Sequence, residues 1–163
     1  MADHPFHWGL RPFRSDRDYD RWQREHLSPA DLHQLRLLAE TRHRNPTNGE
    51  ADLAFYEYAA QAHIYPTLYS QRFDYYLTVG TAVAERIDRA RRILDLGCGL
   101  GILTTFYARQ APHATGVGVD RSPGSLDVAR RQAAKLGLVH CSFARLDVNQ
   151  EPLPGTYDLI IAS

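Results

Sequence analysis

The stretch Ile93-Leu94-Asp95-Leu96-Gly97-Cys98-Gly99-Leu100-Gly101 constrains the fold more than any other part of this chain. Arg92 to Leu96 reads as a short buried strand, and Ile102 to Gln110 reads as a helix. Between them, glycines at alternate positions allow a sharp turn and a close approach of backbone to a ligand. The N-terminus of the helix that follows offers free N–H groups to an anion. The spacing is GxGxG and position 102 is Ile, so the dinucleotide pattern GxGxxG is not met. Asp95 sits at the strand end, just ahead of the glycines. A carboxylate there repels a pyrophosphate but pairs with an ammonium group. The ligand favoured at this end therefore carries an amine and a carboxylate, as an amino acid does.

The residues that follow repeat the pattern. Thr115 to Asp120 reads as a second strand. Ser122 and Pro123 read as a cap and first-turn proline of a helix with inner face Leu126, Ala129, Ala133 and Leu136, closed by Gly137. Leu138 to Ala144 reads as a third strand and Tyr157 to Ala162 as a fourth. Pro152, Pro154 and Gly155 break the link between the last two, which is too interrupted for a full helix. Alternating strands and helices predict a parallel α/β sheet with right-handed crossovers. In such sheets the ligand crevice lies at the carboxyl ends of the strands. Asp120 ends the second strand, 19 residues after Gly101. An acid there suits the hydroxyls of a ribose, or caps the turn at Arg121-Ser122, and the glycine cluster favours ribose. Asp147 follows the third strand, where it reads as a turn residue or as an acceptor for an adenine amino group. The series of acids favours adenine.

Upstream, the sequence changes character near residue 50. The first 25 residues read as a polar arm with scattered aromatics (Phe6, Trp8, Phe13, Trp22). Ser28-Pro29 opens a helix with Leu32, Leu35, Leu38 and Ala39 inward, ended by Asn45-Pro46 and Asn48-Gly49. A second helix is expected from Ala51 to about Ile64. A third starts near Pro66, with Tyr69, Phe73, Tyr76, Leu77, Val83, Ala84 and Ile87 on one face and Gly80 inside it. The expected division is thus 1–50 polar arm and helix, 51–91 helical cap, and 92–163 α/β domain.

The second half resembles the class I, Rossmann-like S-adenosylmethionine-dependent methyltransferases. The resemblance rests on ILDLGCGLG, GVDRSPGSLDVARRQAAKLGL, FARLD and YDLII, in order over residues 93–163. It implies S-adenosyl-L-methionine as cofactor and methyl transfer by in-line displacement. Carried over, the methionine moiety lies along Gly97, Cys98, Gly99 and Gly101, with Cys98 offering its backbone. Asp95 holds the amine directly or through water. Asp120, followed by Arg121, binds ribose, and Asp147, followed by Val148, binds adenine. Tyr65 or Tyr69, on a helix the family often lays over the cofactor, is a candidate partner for the carboxylate. The resemblance implies a sheet of seven strands ordered 3-2-1-4-5-7-6. Four are supplied here, so the expectation is the cofactor-binding half of a methyltransferase domain, with an uncovered fourth strand prone to self-association.

Composition narrows the rest. The net charge is zero, with 19 basic and 19 acidic residues, so no field steers the chain toward nucleic acid or an anionic membrane. Lys135 is the only lysine, and the arginines are scattered among acids rather than gathered in a phosphate site. No run of about 18 apolar residues occurs, and the start does not read as a secretory signal. Cys98 and Cys141 show no metal spacing and form no disulfide framework, so a reducing cytoplasm is expected and no metal site. The expected acceptor is a small molecule. No general base can be named from the sequence, and an already nucleophilic acceptor needs none. The alternatives are a non-catalytic S-adenosylmethionine-binding remnant, an aminopropyl transferase, and an oxidoreductase using a nicotinamide cofactor, against which the glycine spacing and Asp95 argue.

Overall fold

The computed structural model describes residues 12–65 and 73–162, the side chains of 84 and 85 excepted. The chain divides into two compact units, one of Phe6–Asp74 and one of Tyr75–Ser163 with Met1–Pro5.

In the first unit a helix forms where the sequence suggests a polar arm. Helix α1 spans Asp16–His26; Ser15 caps it by accepting the Asp18 N–H at 3.2 Å. Asp16 and Asp18 in its first turn and Arg24 and His26 in its last complement the helix dipole. Its aromatics look scattered in the linear sequence, but Tyr19, Trp22 and His26 recur at helical spacing. Phe13 packs on Tyr19 and Trp22 with ring centroids 5.2 Å apart, and Trp22 packs on His26 at 4.8 Å. Helix α2 (Pro29–Arg44) starts at the expected Ser28 cap. Asn48 caps α3 (Gly49–Gln61), which ends three residues short of Ile64. Leu27, Leu35, Phe55, Ala59 and Ile64 form the core, flanked by Leu32 and Leu38. Ala39, expected inward, is exposed. The Tyr58 hydroxyl donates to Asp31 at 2.7 Å and ties α3 to the start of α2.

Helix α4 (Phe73–Ile87) carries the chain across the division. The start expected near Pro66, and Tyr69 with it, lie outside the described residues. Phe73, Tyr76, Gly80 and Ile87 are buried. Leu77, expected on the same face, is 39% exposed, because the buried stripe runs through 73, 76 and 80 and position 77 falls beside it. Gly80 lies under the Phe106 ring, where a Cβ would come within 3.2 Å.

The second unit is built on four parallel strands in the order β3-β2-β1-β4, as expected. These are β1 (Arg92–Leu96), β2 (Thr115–Asp120), β3 (Cys141–Arg145) and β4 (Leu159–Ala162). Helix α5 (Ile102–Gln110) joins β1 to β2, and α6 (Pro123–Lys135) joins β2 to β3. Every residue of α5 from Ile102 to Ala108 is buried. Asp95 lies in register between Gly118 of β2 and Ile161 of β4.

Two strands start later than expected. The Leu138 N–H goes back to the Ala133 carbonyl in the turn that closes α6, which removes it from β3. Tyr157 and Asp158 belong to a turn: the Tyr157 hydroxyl donates to the Pro154 carbonyl, and the Asp158 carboxylate accepts the N–H groups of Arg91 and Arg92 at 2.8 and 2.9 Å. That anchors the helix-free link to the start of β1. Strand β4 pairs with β1 alone among the described residues, and Ile160 is 50% exposed. No described helix is long and apolar enough to cross a membrane.

Candidate functional site

The strand tips converge on Asp95. It is 1% exposed, and its Oδ2 accepts the Thr104 hydroxyl of α5 at 2.5 Å. Its other oxygen, Oδ1, is buried with no hydrogen-bond partner among the described residues. Leaving a buried acceptor unmatched costs about 1–3 kcal/mol, and more when the group is charged. Burial pushes the Asp95 carboxyl up to about 7; the Thr104 hydrogen bond opposes the shift and the negative charge of Asp120 adds to it. The group thus holds its proton more firmly than an exposed carboxyl does. A cation presented to Oδ1 would favour the ionised form and supply the missing partner.

The turn that follows is held open by its backbone. Gly97, Gly99 and Gly101 all have positive φ, at 68°, 51° and 73°. Gly101 is also confined by packing, since a Cβ there would sit 2.6 Å from the Phe143 ring of β3. Gly97 differs: nothing lies within 4 Å of where its Cβ would be, so that side of the turn is free space. The Cys98 N–H donates to the Val119 carbonyl at 3.0 Å and fixes the turn against β2. The Cys98 thiol is buried and pushed well up by that burial, so the residue offers its backbone and no nucleophile.

At the end of β2, Asp120 caps the turn, one of the two readings the sequence left open for it. Its Oδ1 accepts the Ser122 N–H and its Oδ2 the Gly99 N–H, both at 2.8 Å. The first is the turn-capping bond. The second ties the glycine turn to β2. A carboxylate has about four lone-pair sites, so acceptor capacity remains for hydroxyl donors. Ser122 in turn caps α6 by accepting the Ser125 N–H at 3.0 Å.

Beyond β3, Asp147 sits in a turn, with Oδ1 accepting the Asn149 N–H at 3.0 Å. Its Oδ2 lies 3.8 Å from the Arg121 guanidinium, a contact that spans the tips of β2 and β3. The neighbouring Val148 is 48% exposed and presents an apolar surface among polar groups. The structure therefore links Gly99, Asp120, Arg121 and Asp147 through direct contacts along the carboxyl ends of β1, β2 and β3. Tyr65 belongs to the Phe6–Asp74 unit. Among the described residues no group of three or more His, Cys, Asp or Glu is placed to hold a metal.

Thr104 is the residue that sequence reasoning missed. It lies nine positions after Asp95, inside a helix buried along almost its whole length, so no apolar periodicity marks which of its residues faces β1. A hydroxyl in the first turn after a strand-borne acid was the available signal.

Residues 93–163 match a protein family described as a methyltransferase domain. The chain is 36% identical over 81 residues to a release factor glutamine methyltransferase of Xylella fastidiosa, covering 48% of this chain and 30% of that protein. It is 31% identical over 115 residues to the protein of the same name from Geobacter sulfurreducens, covering 68% of this chain and 39% of that one. The chain thus spans well under half the length of these relatives. The fold matches that of the S-adenosylmethionine-dependent methyltransferase SibL, solved in its apo form, with a TM-score of 0.52, 23% identity, and coverage of 61% of this chain and 29% of that one.

Proposed function

We propose, from the premise that residues 93–163 are a class I S-adenosylmethionine-dependent methyltransferase-like domain, that this chain binds S-adenosyl-L-methionine along the tips of β1, β2 and β3 and serves methyl transfer to a small-molecule acceptor. The observation that carries the reading is the buried, unpartnered Oδ1 of Asp95, two residues ahead of a glycine turn whose Gly97 side is open. That pair of features fits the ammonium and the slender chain of a methionine moiety. The cofactor, when bound, supplies an electrophilic methyl on its sulfonium. The chain's residues bind and orient. Asp95 takes the ammonium, and the backbone of Gly97, Cys98, Gly99 and Gly101 lies along the amino-acid portion. Asp120 accepts from the ribose hydroxyls while it holds the turn through Gly99. Asp147 accepts from the adenine amino group, Val148 packs against the base, and Arg121 holds Asp147 in place.

A small-molecule acceptor agrees with the zero net charge, which provides no steering toward nucleic acid. A reducing cytoplasm suits the two free thiols, Cys98 and Cys141. Strand β4, paired on one side among the described residues, gives the isolated chain a route to self-association, which sedimentation of the purified chain reads directly.

The test is calorimetric titration of the purified chain with S-adenosylmethionine, S-adenosylhomocysteine, decarboxylated S-adenosylmethionine and NADH, followed by a methyl-transfer assay over small-molecule and peptide acceptors. Binding of the first two with turnover on a small acceptor supports the reading. Binding without turnover on any acceptor identifies a cofactor-binding remnant. Preference for the decarboxylated compound identifies an aminopropyl transferase, and binding of NADH alone refutes the assignment.

A further inference from the structure

We propose that Thr104 is a positioning residue for amine recognition: by engaging Oδ2 of Asp95 it reserves Oδ1 for the ammonium of the bound ligand. The inference rests on the functional reading above and adds a residue to it. Two adjacent threonines in α5 make the contrast. Thr105 satisfies its hydroxyl locally, donating to the Gly101 and Ile102 carbonyls at 2.7 and 3.1 Å, the ordinary behaviour of a helical threonine. Thr104, also buried, instead donates its hydroxyl to a carboxylate on the neighbouring strand. A charged acceptor strengthens that bond and fixes the plane of the Asp95 carboxyl group. One oxygen is then satisfied and the other is not.

Among the described residues no cation acts on Asp95. The described residues coupled to Asp95 by charge are Asp120 at the end of β2, Cys98 in the glycine turn, Cys141 on β3 and Tyr107 on α5, and all of these are acids or neutral groups. Ile161 of β4 is the apolar neighbour in register on the other side. A positively charged group brought by the ligand lets Asp95 ionise without that penalty. The Thr104 hydrogen bond shifts the same balance toward the ionised carboxylate, so removing it should demand a higher pH for amine binding.

The experiment compares two probes on the whole chain as a function of pH: S-adenosylhomocysteine, which carries the amine, and 5′-methylthioadenosine, which lacks it. In the wild type, affinity for the first should rise with pH through neutrality while affinity for the second stays flat. Thr104→Val should move that rise to higher pH and lower S-adenosylhomocysteine affinity at neutral pH by about tenfold, leaving methylthioadenosine unaffected. Thr104→Ser should restore the wild-type profile. Thr104→Ala, which adds no bulk, is read as valine is if the valine chain does not fold. Equal losses for both probes, or no loss for either, would overturn the proposal and leave Thr104 a packing residue. A wild-type chain that binds neither probe refutes the functional reading itself, a distinct result.

Discussion

Replacing Asp95 by asparagine should stabilise the folded chain at alkaline pH relative to acid pH, although it removes the group assigned to ligand binding. Asp95 is 1% exposed, one of its oxygens lacks a partner, and its carboxyl is raised from 3.8 to about 7 in the fold. The folded state therefore holds this proton over a pH range in which the unfolded chain has released it. Stability contributed by the proton is complete below the unfolded value near 4 and is lost as pH rises toward the folded value near 7. A rise of that size corresponds to about 4 kcal/mol, of which more than half accrues between about pH 5 and about pH 8. Asparagine keeps an acceptor for Thr104 and cannot ionise. Its own cost, an amide in place of Oδ1, is the same at both pH values and cancels in the comparison. Urea denaturation of wild type and variant near pH 5 and near pH 8 gives the double difference directly. The variant should gain about 2–3 kcal/mol on the wild type between the two conditions. A double difference near zero would refute the reasoning, because it would mean that Asp95 ionises in the fold as freely as in the unfolded chain.

Other expectations concern the neighbouring residues. Gly101→Ala drives a Cβ into the Phe143 ring at a positive φ, and should cost about 2–4 kcal/mol of stability in thermal or urea unfolding. Gly97→Ala meets no atom within 4 Å; its positive φ should cost only about 1–2 kcal/mol, with a further loss of cofactor affinity seen in calorimetry. Asp120→Ala removes the acceptor for the Gly99 and Ser122 N–H groups and should weaken S-adenosylhomocysteine binding by about 1–3 kcal/mol in a chain whose circular dichroism is unchanged; undiminished affinity would contradict the ribose assignment. Arg121→Ala breaks the partly exposed contact to Asp147 at 3.8 Å and should change affinity by less than about 1 kcal/mol.

Much of the α/β half was legible because its signals are local. A run of apolar residues around Asp95, three alternate glycines and the Ser122-Pro123 cap each act over a few positions, and β1, α5 and β2 fall where those signals place them. The strand starts at Cys141 and Leu159 were less legible. Leu138 and Tyr157 are good strand residues, but the Gly137 turn and the Asp158 anchor to β1 claim them first. Helix α1 was missed for a related reason. Its polar composition looks like an arm until Tyr19, Trp22 and His26 are read as one helical stripe, covered by Phe13 from outside the helix.

The sequence by itself determined the order of the elements, the glycine turn and the acids at or just beyond the ends of three strands, because propensity, capping and glycine backbone freedom are properties of short segments. Only the tertiary structure decided how those acids are engaged. Which oxygen of Asp95 is satisfied depends on a helix that begins seven residues later, and both oxygens of Asp120 are already in use by Gly99 and Ser122. Such pairings join side chains to groups on other elements, and packing, not local propensity, sets which atoms meet.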